Sequence, residues 1–331
     1  MKVIYVKTTE TCNLNCNHCF TNGKNGRRIF FDPVQTAAFV NNFANEKMHI
    51  DYHGGEPFLA PLADLKLFHK LVSAEATNTT FGATSNLTFK LTKDIQDFIH
   101  NELSMRVATS WDAGIRWTNN RQYALWQKNV RTLIATGVTV KVFISINKTI
   151  VAMDPKEILD MLRELGIKEV AFERLTHDGS ATRNPDIFPT NKEIDDWIWE
   201  LHEANDRSWF DNTLLESIYA KFEKGSRRES TFCRSCEKFI FTINADGRVA
   251  GCPNSAPTKH YAHITDEIKS VVSHENRICM VAEEAYIHPE CIDCSLFGIC
   301  GGDCYKLTWD TQCPAPKRLM YGLNHKTNRI L

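Results

Sequence analysis

The chain has 331 residues and a formal net charge of -1, with 43% hydrophobic and 24% charged residues. This composition is typical of a folded protein of one or two domains, and it excludes a general electrostatic attraction to nucleic acid or to anionic membranes. No apolar run is long enough for a membrane span or a signal-peptide core. The sequence therefore predicts a cytoplasmic protein whose partners are selected by a local site.

The first part of the chain alternates between strand-like and helix-like segments, which is typical of a parallel β/α architecture. Six strands are predicted, over residues 2–9, 48–52, 79–85, 106–110, 138–147 and 169–175. The first helix is predicted to begin at Asp32-Pro33, and a later one at the capping sequence of residues 190–193. Six units fall short of the eight of a closed TIM barrel, where functional groups gather at the carboxyl ends of the strands.

The twelve cysteines are distributed unevenly. Three of them, Cys12, Cys16 and Cys19, follow the first predicted strand, and the others lie between positions 233 and 313. Because the chain is long and lacks a secretion signal, metal binding or redox use is favoured over structural disulfides. The gap between the two groups predicts two domains, residues 1–225 and 226–331.

The first three cysteines have the spacing C-x3-C-x2-C. Three thiols can hold three corners of an iron–sulfur cube and leave one iron without a protein ligand. A structural zinc site that uses His18 as the fourth ligand is the alternative. The motif resembles that of the radical S-adenosylmethionine (radical SAM) superfamily. The resemblance implies a partial (β/α)6 TIM barrel in which Cys12, Cys16 and Cys19 are the catalytic cluster ligands and the open iron binds the methionine end of SAM.

The ends of the later predicted strands extend this resemblance. Residues 54–57, Gly-Gly-Glu-Pro, match the family's GGEP motif, although a plain turn is the alternative reading. Glycine allows close backbone approach, and a carboxylate suits the SAM ammonium group. The resemblance implies that SAM is bound by Gly54, Gly55, Glu56, Ser85, Ser110, Arg121 and Leu175. Arg116 is a rival to Arg121 for the arginine position.

The C-terminal cysteines lie around a predicted β-hairpin in residues 238–254, which turns at Asp246-Gly247. A hairpin brings its ends together, so Cys236 and Cys252 can ligate one metal. The pattern resembles the SPASM domain, which carries two auxiliary [4Fe–4S] clusters. The ligands implied by the resemblance are Cys233, Cys236, Cys252 and Cys304 for the first cluster, and Cys291, Cys294, Cys300 and Cys313 for the second. Paired zinc sites are the alternative.

One cysteine, Cys279, fits neither set. A free cysteine commonly behaves as a small buried apolar residue, so we expect Cys279 to be buried and without a ligand role.

The resemblance implies an enzyme that contains three [4Fe–4S] clusters and binds SAM. Reductive cleavage of SAM would give a 5′-deoxyadenosyl radical that abstracts hydrogen from a peptide side chain or backbone, followed by crosslinking or oxidation, as in the maturation of ribosomal peptides (RiPPs). The implied partners are a peptide or protein substrate and a reductant such as flavodoxin or ferredoxin. No separate leader-binding domain is expected before the barrel.

Two other functions remain open at this point. One is anaerobic sulfatase maturation, in which cysteine or serine is oxidised to formylglycine. The other is non-catalytic electron transfer by an iron–sulfur protein. Zinc-based nucleic-acid binding is disfavoured, since the chain lacks the basic patch that such proteins use.

Overall fold

A computed structural model describes residues 1–224 and 234–326 of the chain. Its first part contains six parallel strands at the predicted positions. They are β1 (Lys2–Thr9), β2 (Met48–Gly54), β3 (Thr79–Ala83), β4 (Arg106–Ser110), β5 (Thr139–Ile146) and β6 (Glu169–Arg174). The α/β class and the parallel order of the strands are therefore confirmed. The predicted boundary between residues 225 and 226 lies outside the described residues.

Helices connect these strands and follow them, as the β/α rhythm predicts. They are α1 (Pro33–Asn41), α2 (Leu62–Ser73), α3 (Lys93–Asn101), α4 (Asn120–Ala135), α5 (Pro155–Glu164), α6 (Asn191–Ala204) and α7 (Thr213–Lys224). Capping residues begin them where predicted. Asp32 accepts the Val34 and Gln35 amides, and Thr190 with Glu193 forms a full capping box.

The parallel strands form one series across two sheets. Strands β1, β2 and β3 pair in order, and β4, β5, β6 and the short β7 (Asp211–Asn212) form a second sheet. A parallel bridge between Thr84 and Ala108 links β3 to β4, and the Ser85 amide donates to the Ala108 carbonyl at 2.9 Å. The carboxyl ends of all six strands therefore lie at one edge of the layer, as in other parallel β/α proteins.

Strand β5 shows how the sequence separates core from cavity. Val142, Ile144 and Ile146 have no exposed surface and belong to the main apolar core. The intervening Phe143 and Ser145 point the other way, because successive side chains of a strand alternate between its faces. The residues that alternate with the core therefore form the inner wall of the strand-end cavity described below.

The predicted hairpin near the C-terminus is confirmed, and it also extends the parallel sheet. Strands β8 (Ile240–Ile243) and β9 (Arg248–Ala250) pair antiparallel, and β10 (Ala262–His263) pairs with β9. No sequence pattern predicts that β8 also pairs in parallel with β1, from Val3 opposite Ile240 to Val6 opposite Ile243. This pairing attaches the cysteine-rich region directly to the first strand.

Five helices complete the described C-terminal region: α8 (Cys236–Phe239), α9 (Ile268–Val272), α10 (Glu275–Ala285), α11 (Pro289–Ile292) and α12 (Lys317–Lys326). The loops between them carry most of the remaining cysteines. Among residues 1–224 and 234–326, no helix is long and apolar enough to cross a membrane.

Candidate cofactor and active site

A cavity of about 220 Å³ lies at the carboxyl ends of the parallel strands. It brings together eight of the positions predicted for cluster or SAM binding. They are Cys12, Cys16, Cys19, Gly54, Gly55, Ser85, Ser110 and Leu175. These residues come from five of the six strand ends, so the parallel order of the strands explains how distant parts of the sequence meet.

The three N-terminal thiols lie in a loop rich in hydrogen-bond donors. The Leu14 amide is 3.3 Å from Cys12 Sγ, and the Gly23 amide is 3.2 Å from Cys19 Sγ. Burial raises the pKa of the Cys12 thiol to about 12, and burial likewise raises that of Cys16 to about 11. Buried sulfurs of this kind become thiolates when a metal compensates their charge. Three cavity-lining thiols with amide donors therefore fit the donor set of an iron–sulfur cluster.

His18 does not join these thiols as a fourth ligand in the structure. Its Nε2 lies 3.5 Å from Asp112 Oδ2, and both side chains are largely buried. In the parts of the chain that the structure describes, no group of three or more His, Cys, Asp or Glu side chains is close enough to hold a single metal ion. The contact of His18 with Asp112 explains its position without a ligand role.

The Gly54-Gly55 pair packs against the segment that leads into the cysteine loop. A Cβ atom on Gly55 would lie 2.2 Å from the Thr11 carbonyl oxygen, and one on Gly54 would lie 2.4 Å from that of Thr9. The Gly55 amide donates to the Thr9 carbonyl at 2.8 Å. The two glycines therefore allow a close approach of their own backbone to the backbone of Thr9 and Thr11. This contact fixes the start of the cysteine loop.

Glu56 does not line the cavity. Its carboxylate is fully buried and accepts hydrogen bonds from the Ser85 hydroxyl at 2.8 Å and the Asn86 amide at 2.7 Å. Burial raises its pKa to about 7, although these donors oppose the shift. In the structure Glu56 holds the turn after β3 in place, and Asn86 in turn donates to Cys12 Sγ at 3.5 Å.

Of the two candidate arginines, Arg116 lines the cavity and Arg121 does not. Arg116 pairs with Asp112 at 2.7 Å, and its side chain is only 12% exposed. Arg121 lies exposed in the first turn of α4. Asp112 lies two residues after the end of β4 and pairs with the arginine four residues later, which holds Arg116 at the cavity. The spacing of the residues does not reveal this ion pair and therefore favours Arg121.

The cavity lining also includes polar side chains that were not among the predicted ligands, such as Tyr5, Lys7, His53 and Glu173. Tyr5 and Lys7 are two residues apart on β1, and Glu173 is on β6. The alternation of each strand, counted from its buried residues, is the signal that could have found them.

The second predicted auxiliary set meets in one place. Cys291, Cys294, Cys300 and Cys313 all line a small separate cavity beside Trp309. Their four thiols fit the donor set of a [4Fe–4S] cluster.

The first auxiliary set is only partly assembled in the structure. Partial burial of Cys304 raises the pKa of its thiol to about 11, and the nearby Cys252 thiol contributes to the increase. Cys236 is disulfide-bonded, which differs from the predicted ligand role because a disulfide sulfur offers no thiolate until it is reduced. Cys233 lies outside the described residues.

The expectation that Cys279 is buried is wrong. It lies exposed on α10, because the helix turns this position away from the core. Nothing in the structure places it with either cysteine set.

The C-terminal region closes one side of the cavity. Pro253 and Asn254, which follow Cys252, contribute to its lining. Lys7 on β1 is fully buried and lies 3.4 Å from the Ser255 carbonyl oxygen, to which it donates. Lys306 donates to the Ser255 hydroxyl from the other side. Lysines therefore hold the segment after Cys252 against the strand ends.

The fold and the thiol-lined cavity define a parallel α/β protein with a ligand site at its strand ends. No family model matches the chain. The uncharacterized protein MJ0907 of Methanocaldococcus jannaschii is 27% identical over 197 residues, and the match covers 53% of this chain and 63% of that protein. The chain therefore aligns with less than two thirds of this relative.

Among solved structures, native anSMEcpe with bound AdoMet and Cp18Cys peptide has a TM-score of 0.77 at 16% identity, covering 98% of this chain and 96% of that one. SuiB of Streptococcus suis bound to S-adenosylmethionine has a TM-score of 0.67 at 12% identity, covering 95% and 77%. SuiB bound to precursor peptide SuiA has a TM-score of 0.63 at 12% identity, covering 95% and 76%. These likenesses show the fold.

Proposed function

We propose that this chain is a radical SAM enzyme that modifies a peptide or protein. The observation that carries the proposal is the cavity at the strand ends, where Cys12, Cys16 and Cys19 meet the Gly54-Gly55 loop and Ser110. An iron–sulfur cluster on the three thiols, with SAM, would supply a 5′-deoxyadenosyl radical for hydrogen abstraction. Solved structures of the same fold contain bound AdoMet, which supports this ligand.

The residues of the chain hold and enclose such a ligand. Ser110 and Leu175 lie at the ends of β4 and β6, where they can contact the nucleoside part of SAM. Arg116, kept in place by Asp112, offers a guanidinium group that suits the SAM carboxylate. We therefore assign the arginine role to Arg116 in place of Arg121. Pro253 and Asn254 cover the cavity from the C-terminal side and limit the access of water.

The C-terminal region is proposed to hold two auxiliary [4Fe–4S] clusters, in the manner of a SPASM domain. The convergence of Cys291, Cys294, Cys300 and Cys313 on one cavity supports the second cluster. The first requires that the disulfide of Cys236 is reduced. Such clusters would accept an electron from the substrate during oxidation, and flavodoxin or ferredoxin is the proposed class of external reductant.

A peptide substrate is supported by two of the solved structures, which contain the Cp18Cys peptide and the precursor peptide SuiA. We propose crosslinking or oxidation of a ribosomal peptide as the reaction. Oxidation of a cysteine or serine to formylglycine is the second candidate, because the anSMEcpe structure with the Cp18Cys peptide aligns with almost the whole chain. Mass spectrometry of a candidate peptide before and after reaction distinguishes a crosslink from a formylglycine.

Anaerobic incubation with SAM and dithionite tests the proposal. We expect the iron-reconstituted protein to form 5′-deoxyadenosine, and Cys16→Ala to reduce formation to the level without protein, since two thiols cannot hold the cluster. Cys279→Ala is the matched control, because Cys279 is exposed and belongs to neither predicted ligand set, and it should retain the wild-type rate. A reconstituted wild-type protein that forms no 5′-deoxyadenosine would instead favour non-catalytic electron transfer.

A further inference from the structure

Glu173 lies at the carboxyl end of β6 and lines the same cavity as the three N-terminal thiols. In the register of the sheet it stands beside Ser145 of β5, and Phe143 is the next inward residue of that strand. Its side chain is accessible from the cavity, in contrast to Phe172, which belongs to the core. The carboxylate is therefore presented to whatever occupies the cavity.

Other acidic groups near the cavity have partners. Asp112 pairs with Arg116 and accepts the Ser145 amide at 2.6 Å. Asp51 accepts the Thr84 hydroxyl at 2.8 Å. Among the described residues, the carboxylate of Glu173 has neither a hydrogen bond nor an ion pair, and it stands out for that reason.

The nearby cations are directed elsewhere. Arg174, the next residue, is paired with Asp303 at 3.1 Å. Lys141, on β5, donates to the Thr213 hydroxyl at 2.8 Å. A carboxylate that lacks a paired cation or N–H donor is stabilised by an incoming one.

We infer that Glu173 is a specificity residue that binds the ammonium or guanidinium group of a lysine or arginine side chain in the peptide substrate. The aromatic rings of Tyr5 and Phe143 line the same cavity and offer apolar surface for the aliphatic stem of such a side chain. The inference rests on the proposed function and adds the chemical class of the group that the cavity receives.

The test uses the reconstituted, SAM-bound protein and capped five-residue peptides that differ only in the central residue: lysine, arginine, norleucine or glutamate. Isothermal titration calorimetry should show that the lysine and arginine peptides bind at least about tenfold more tightly than norleucine, as a charge-assisted contact provides. Glu173→Gln should remove this preference. Glu169→Gln, an exchange on the same strand at a residue paired with Arg106, is the matched control and should preserve it.

SAM binding, measured by equilibrium dialysis, separates this role from a contact with the SAM sulfonium. We expect Glu173→Gln to bind SAM within about twofold of wild type, whereas a larger loss would overturn the inference. Equal binding of all the peptides, no binding of any of them, or an unchanged preference in Glu173→Gln would also overturn it. Formation of 5′-deoxyadenosine in the same preparations reports on the proposed function independently, so the two failures are distinguishable.

Discussion

Arg174 joins the end of β6 to the cysteine-rich loops. Its guanidinium lies 3.1 Å from Asp303 Oδ2 and 3.1 Å from Asn191 Oδ1, and it also donates to the Pro314 carbonyl. Asp303 directly precedes Cys304 and accepts its amide at 2.6 Å, while Pro314 directly follows Cys313. One buried cation therefore fixes two predicted cluster ligands relative to the strand layer.

The expected cost of removing it follows from its burial. The side chains of Arg174 and Asp303 are only 11% and 5% exposed. Truncating one partner of such a pair leaves the other charge buried without compensation, which costs about 3–5 kcal/mol. This is a large part of the roughly 5–15 kcal/mol that stabilises a typical domain. We therefore expect Arg174→Met to lower the free energy of unfolding by about 3–5 kcal/mol.

Urea unfolding followed by circular dichroism measures this loss. Arg106→Met is the control, since Arg106 is 57% exposed in its pair with Glu169 and its loss should cost about 1 kcal/mol or less. Arg174→Lys should fall between the two, because an ammonium group cannot reach all three acceptors in the guanidinium geometry. If Arg174→Met unfolds at the same urea concentration as Arg106→Met, the buried pair does not hold the loops and the reasoning is refuted.

Asp51 on β2 is a buried carboxyl whose pKa burial raises to about 7 from 3.8. The protonated form of Asp51 favours folding, so its contribution to the free energy of unfolding is complete below about pH 4 and is lost as the pH rises through about 7. Relative to Asp51→Asn, the free energy of unfolding of wild type should fall by on the order of 4 kcal/mol between about pH 4 and pH 8. If the two proteins instead show parallel dependences of this free energy on pH, the assignment is contradicted. Gly55→Ala places a methyl group 2.2 Å from the Thr11 carbonyl oxygen. Thermal unfolding should therefore show a free energy of unfolding that is lower than that of wild type by about 1–3 kcal/mol. An unchanged melting temperature would mean that the backbone can separate there without cost.

Local patterns were sufficient to predict the six parallel strands and the helix starts at Asp32 and Thr190. Alternation placed β5 within one residue of its bounds, and the Asp32-Pro33 and Thr190 caps lie where the sequence predicts them. These features depend on residues within a few positions of each other, so a single sequence contains the information. The convergence of the three cysteines with Gly54 and Ser110 also follows from parallel strands, because the carboxyl ends of such strands share one edge.

Side-chain direction in loops depends on partners that are distant in the sequence, and there the local pattern is insufficient. Glu56 has the residue type that suits an ammonium group, yet Ser85 and Asn86 occupy its carboxylate. Glu173 has the same type and lines the cavity without a partner among the described residues, while Arg174 beside it pairs with Asp303. Which of the two glutamates lines the cavity is therefore decided by contacts between the strand layer and the loops around it. The pairing of β8 with β1 is likewise a contact between residues that are more than two hundred positions apart. No local pattern in the sequence predicts it.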